Sequence, residues 1–352
     1  MGDADRRADS VRVMQSFGTP RATTNPYIHM LDAALATTEG LDHRRFDRRA
    51  ALVGRLDALH FHWPETLFGG STPAKALARR LFATALVLRL QLTRVAVVRT
   101  VHNVELPRDV NRWERMLLRR IDARTDHRIV LNAETAGAGS PTSSMIPHGH
   151  FRDWFSSAPH PDAEPRTIGF IGLVRRYKGV EALLAAFAQT DMTHTEWRLR
   201  VCGNPTSESL AREVRASAEA DSRIGLDLRF LAEPEFARAI RSVAGVVLPY
   251  RFMHNSGAVL AALSLDRPVL VPDNDVNRSL RDEVGAEWVF LYGDELTADD
   301  LRGFMDSLGH GGPPGSPDLS SRGWAEAGEQ HRAAYVRAIA TRRARRRRRG
   351  SR

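Results

Sequence analysis

The 352 residues are 42% hydrophobic and 26% charged, an ordinary globular composition with room for two domains at roughly 150 residues each. No run reaches the ~20 apolar residues a bilayer span needs, the charged first residues lack the apolar core of a secretory signal, and the single cysteine, Cys202, excludes an internal disulfide and a cysteine metal cage. The net charge of +9 sits at one end, because eight of the residues 342–352 are arginines.

In chain order, short apolar runs predict strands at 11–15, 58–61, 95–100, 128–131 and 144–146, with helices over 26–37, 75–92 and 110–124. Pro159, Pro161 and Pro165 then give 156–166 a linker composition. Strands follow at 168–171, 199–202, 228–231, 246–248, 269–271 and 288–291. Between the first two of these, Val180, Leu183, Leu184 and Phe187 recur at the spacing of one helix face. A Gly/Pro-rich loop precedes a last helix over 322–340, and the like charges of 342–352 read as a disordered tail. The expected division is 1–155, linker 156–166, 167–310, loop and helix 311–341, and tail 342–352. Alternating strands and helices make this an α/β protein of two Rossmann-like, doubly wound domains, with ligands beyond the carboxyl ends of the strands, facing a central cleft.

Chemistry is expected in the loops that follow strands. After the strand at 168–171, Gly172 lets a ligand approach the backbone, and the next helix offers free amides suited to phosphate. Arg175 and Lys178 add charge beside it, making a diphosphate cradle or a turn with solvated basic residues. The loop lacks both the Walker A ending and the dinucleotide glycine spacing. A second anion-binding position is expected around Tyr250 and Arg251, where Ser256 and Gly257 open a helix. His60, His62, His148 and His150 lack metal-ligand spacing, and in Asp273-Asn274-Asp275 the last residue reads as a helix cap. No metal and no cofactor are expected.

The phrases FIGLVRRYKGVEALLAAF, LRVCGNP and VVLPYRFMHNSGAVLAALSLDRPVLVP, spanning about 166–292, resemble the donor domain of GT-B glycosyltransferases of the group-1, family-4-like type. LHFHWPE, TVHNVELPRD and IPHGHFRDWF in the first half resemble the exopolysaccharide, xanthan-type β-mannosyltransferases. The resemblance implies a GT-B enzyme moving a sugar, mannose from GDP-mannose, onto a lipid-linked or glycan acceptor. Donor contacts would then come from Gly172, Arg175, Lys178, Gly203, Tyr250, Arg251, Ser256 and Gly257.

The paired glutamates of retaining family-4 enzymes map near Met253 and Ala261, neither a carboxylate, which favours inversion with a base from the first domain. Glu105, Asp109 and His102 are the candidates, with Glu65 beside them; His148 and His150 would reach the donor or pin the hinge. The alternatives are a retaining GT-B enzyme using a UDP-sugar and a degenerate GT-B scaffold docked by its tail. The arginines of 342–352 are expected to hold a cytoplasmic protein on the anionic inner face of the cytoplasmic membrane, without specific nucleic acid.

Overall fold

The structure, a computed structural model, describes residues 10–68, 72–102, 111–190, 195–309 and 312–350. It forms two compact units, Met1–Gly149 with Arg322–Arg352, and His150–Ser321.

In the first unit β1 (Val11–Gln15), β2 (Leu41–Arg44), β3 (Ala58–Phe61), β4 (Ala96–Val101), β5 (His127–Val130) and β6 (Ser143–Met145) form a parallel sheet. Its order is β2-β1-β3-β4-β5-β6, so the topological switch lies between β1 and β3, and ligands bind at such a point. The sequence reading missed β2, because Leu-Asp-His-Arg on a sheet edge lacks an apolar run. Its neighbour explains the polarity: His43 and Arg45 both bind Asp32 of α1 (Pro26–Thr37), at 2.7 and 2.8 Å.

Asn25 caps α1, accepting from the Tyr27 amide at 3.0 Å. Then come α2 (Arg48–Val53), α3 (Pro73–Leu92) and α4 (Arg112–Arg124). A reciprocal Asn111–Glu114 capping box starts α4. Leu86 and Leu90 of α3 meet Leu117, Leu118 and Ile121 of α4 in one core cluster with Leu59 and Phe61 of β3.

The second unit repeats the scheme. β7 (Thr167–Ile171), β8 (Arg198–Cys202), β9 (Ile224–Asp227), β10 (Gly245–Val247), β11 (Val269–Pro272) and β12 (Val289–Tyr292) form a parallel sheet in the order β12-β11-β10-β7-β8-β9. This is the doubly wound order with its switch between β7 and β10. Around it lie α5 (Val180–Ala188), α6 (Glu208–Ala220), α7 (Glu233–Arg241), α8 (Gly257–Ser264), α9 (Asp275–Val284) and α10 (Ala298–Gly309).

Two expectations shift here. The strand expected at 228–231 is instead β9, four residues earlier, paired to β8 from Leu199↔Ile224 to Cys202↔Asp227. An edge strand need bury only one face, so Ile-Gly-Leu-Asp forms it while Phe230 stays 70% exposed. The proline-rich 156–166 carries no helix or strand, yet it packs within the second unit. Arg241 donates to the Ala158 and Pro159 carbonyls at 2.7 and 2.9 Å, and the Glu164 amide to Ser242 O at 2.8 Å. The partition falls between Gly149 and His150.

The chain returns to the first unit as α11 (Trp324–Gly350), which corrects the expected disordered tail. Arg342 is buried and donates to the carbonyls of Leu90, Gln91 and Thr93 at 3.4, 3.3 and 2.5 Å. Arg345 reaches the fully buried Asp126 at 3.2 Å, and Arg346 donates to Leu92 O at 2.9 Å. The last carbonyls of a helix lack partners of their own, and the arginines of α11 supply them for α3.

Candidate functional site

In the second unit, the loops leaving β7 and β10 lie side by side at the switch point, joined by the Arg251 amide donating to Tyr177 O at 3.2 Å. The first loop depends on glycine. Gly172 has φ +138°, and Gly203, with φ +137°, approaches so closely that a Cβ there would lie 1.9 Å from Gly172 O. Gly179, left-handed at φ +69°, leads into α5, and a Cβ on it would lie 2.0 Å from Pro249 O.

Lys178 stands over this floor, its Nζ 3.7 Å from where a Gly172 Cβ would be and 4.9 Å from the Tyr250 ring centre. Burial, and then the neighbouring Arg175, bring its pKa down to about 8. Among the described residues no carboxylate pairs with Lys178 or Arg175, whereas Arg176 is taken by Glu181 and Glu213 at 3.0 and 2.6 Å. A half-buried cation without a counter-charge is destabilised until an anion arrives.

Tyr250 is buried, and among the described residues its hydroxyl has no hydrogen-bond partner; Arg251 is exposed. Ser256 caps α8, accepting from the Val259 amide at 3.4 Å, and nothing lies within 4 Å of a Cβ built on Gly257. The fold thus brings Gly172, Lys178, Gly203 and Tyr250 together. Met253 and Ala261 are buried, and the Met253 sulfur accepts from Asn277 Nδ2 at 3.5 Å. The expected cap of α9 moves by one residue: Asn274 accepts from the Asn277 amide at 2.9 Å, while Asp273 and Asp275 hold Arg278 at 2.6 and 3.1 Å.

In the first unit Glu105 and Asp109 lie outside the described residues. Glu65 is half-buried in a 3-10 turn, Pro64–Leu67. His102, just past β4, stacks on Trp63 with ring centres 4.0 Å apart. It belongs to a buried polar chain at the switch point. Gln15 Nε2 donates to the Tyr335 hydroxyl at 3.1 Å, so Gln15 Oε1 accepts from His62 Nε2, also at 3.1 Å. The other His62 nitrogen, Nδ1, is then the lone-pair atom, and His102 Nε2 donates to it at 3.3 Å. His60 joins Tyr335 at 2.9 Å and Thr100 at 2.8 Å.

Burial, then neighbouring histidines, hold His60 and His62 well below the usual imidazole range. Burial and then His148 bring His102 to about 3, while burial alone leads at His331 and His148, both at about 4. His148 lies against Tyr27 in this unit, and His150 opens the other, its Nδ1 accepting from the Arg152 amide at 3.3 Å. Among the described residues no group of three or more His, Cys, Asp or Glu is placed to hold a metal.

The sequence reading missed Gln15 and Tyr335 as members of this chain, and His331, whose ring packs against His60 and Tyr335. His60 and His62, two apart at the end of a strand, were its visible signal; Tyr335, 320 residues from Gln15, gave none.

Comparison with known proteins fits this arrangement. Residues 165–301 match the model of the glycosyl transferases group 1 family. The chain is 41% identical over 337 residues, 95% of each protein, to a GDP-mannose:glycolipid 4-beta-D-mannosyltransferase of Xanthomonas campestris pv. campestris. Anabaena HepE, solved with UDP, aligns with a TM-score of 0.58 at 10% identity, over 97% of this chain and 100% of that one. A glycosyltransferase of avilamycin A biosynthesis aligns with a TM-score of 0.58 at 14% identity, over 94% and 98%. At such identities the two structures show a shared fold.

Proposed function

This chain belongs to the group 1 glycosyltransferases, and we propose that it transfers mannose from GDP-mannose to a glycolipid with inversion, giving a β-linked product. The near full-length likeness to a transferase of that name supports the donor and the acceptor class. The observation that carries the donor site is Lys178 over Gly172, unpaired with any carboxylate among the described residues and close enough to Arg175 for its pKa to fall.

In this reading Arg175, Lys178 and the first amides of α5 and α8 bind the diphosphate, with Gly203 keeping its floor open and Tyr250, Arg251, Ser256 and Gly257 on its second side. As the glycosidic bond breaks, charge grows on the diphosphate, and these preorganised groups stabilise it. The acceptor hydroxyl attacks the anomeric carbon from the opposite face and gives its proton to a base of the first unit: Glu105, Asp109 or His102. Absence of carboxylates at Met253 and Ala261 supports inversion. The protein works as a peripheral enzyme on the inner face of the cytoplasmic membrane, where a lipid-linked acceptor is met.

A thermal-shift panel of GDP, UDP, ADP and TDP tests the donor, since a ligand bound only by the native state raises its stability. GDP should give the largest shift. Lys178→Ala or Arg175→Ala should weaken GDP binding by about 1.5–3 kcal/mol, the loss of one charge-assisted hydrogen bond. A larger shift with UDP, or unchanged GDP affinity in both variants, would overturn the assignment.

A further inference from the structure

Among the described residues no helix is long and apolar enough to cross a membrane, but α3 is apolar on both faces. Its inner face, with Ala83, Leu86, Val87 and Leu90, is buried in the first unit. Its outer face repeats the pattern in solvent. Leu77, Leu81, Leu88 and Leu92 are 58%, 64%, 47% and 75% exposed, with Ala85 exposed between them. Steps of four, four, three and four residues set these five on one stripe. Residues 73–92 include no Asp or Glu. An aligned row of exposed leucines marks an interaction surface, where scattered ones would not.

The surroundings of the stripe are cationic. Flanking it on the same helix lie Lys75 and Arg80, both exposed, with Arg80 beside the Trp113 ring of α4. Next to α3, the solvent face of α4 carries Arg112, Arg115, Met116, Arg119 and Arg120, all exposed. At the far end Arg346 donates to Leu92 O at 2.9 Å, which sets the arginine end of α11 beside the last leucine of the stripe. There Arg343 and Arg347 are also exposed.

We infer that the outer face of α3, bordered by α4 and the end of α11, docks the first unit flat on an anionic lipid bilayer. The leucines enter the boundary of headgroups and acyl chains, and the arginines meet lipid phosphates. Such a face has the two signals that hold a peripheral protein, buried apolar area and charge attraction. A second copy fits less well, because an isologous pairing on this stripe would oppose arginine rims to arginine rims. The inference rests on the reading of a lipid-linked acceptor, and it adds the surface by which the acceptor unit meets the membrane.

Vesicle co-sedimentation of the full chain tests it, with phosphatidylcholine vesicles and with phosphatidylcholine–phosphatidylglycerol mixtures. Wild type should bind the anionic vesicles, less so at high salt. Replacing Leu77, Leu81, Leu88 and Leu92 together by Ser should lower partition at least about tenfold. Arg119→Gln with Arg120→Gln should lower it mainly at low salt. Retained melting temperature and retained GDP-induced shift would show that the leucine variant is folded, and that shift reads the donor site without any lipid. Loss of vesicle binding with the GDP shift intact supports the docking face. Undiminished binding by the folded leucine variant overturns it, as does a wild-type dimer that the leucine substitutions split. A wild type that binds vesicles through the stripe but shows no shift with GDP indicts the donor reading and leaves the surface standing.

Discussion

Lys178 is held where burial favours its neutral form, with a pKa brought down to about 8. An anion at the diphosphate position favours the charged form instead, so GDP binding should take up a proton above that pH. Affinity should therefore fall as pH rises from about 7 to about 9.5, and Lys178→Arg should flatten the profile because a guanidinium stays charged. The ligand-free protein behaves in the opposite sense. Between about 8 and the ordinary 10.5 the unfolded chain binds more protons, so stability rises with pH across that window. Calorimetric titration of GDP reads the first effect, and a pH-independent affinity would remove Lys178 from the phosphates. The loop geometry around Gly172, Lys178 and Ser256 was legible in the sequence because each belongs to a strand–loop–helix unit a few residues long. The histidine chain was not, since Gln15, His62, His102 and Tyr335 meet only when the sheet and α11 are assembled.

At the scale of elements, α11 shows why a run of arginine was misread. Like charges repel, and that alone predicts disorder. The fold provides what the run itself lacks: Asp126, 219 residues from Arg345, and the exposed carbonyls ending α3. Removing 342–352 should therefore destabilise the first unit as well as alter any membrane affinity. Arg342→Ala removes the arginine donor from the Gln91 and Thr93 carbonyls, while Leu90 O keeps Arg124 at 2.8 Å, at a cost of about 1–3 kcal/mol. The melting temperature should fall by roughly 2–10 °C. An unchanged transition in thermal unfolding would return the arginines to the status of a solvated tail.

At the scale of the whole molecule, acid should act first through the buried His60, His62 and His331 and the half-buried His102 and His148. Their native pKa values are all depressed, so the unfolded chain binds more protons from about 4 up to the ordinary 6.5. Stability must then fall as pH drops through that window, by up to about 1.4 kcal/mol per pH unit for each histidine. Denaturant midpoints at about pH 7 and about pH 5 measure this, and equal midpoints would mean that the chain is already charged or hydrated. The two-sheet architecture was legible because buried parallel strands such as Val269–Pro272, and the Ala96-Val97-Val98 start of β4, are apolar on both faces. The edge strands Leu41–Arg44 and Ile224–Asp227 escaped or slipped because edges tolerate polar residues.

The transfer we propose is a single displacement at the mannosyl carbon of GDP-mannose, with Lys178 and Arg175 of the second unit holding the departing diphosphate. Proton NMR of the product formed from GDP-mannose and a lipid-linked acceptor tests it most directly. A β-linked mannose, formed with release of GDP, is the predicted result; an α-linkage, or no transfer from GDP-mannose where a UDP-sugar is used, would contradict it.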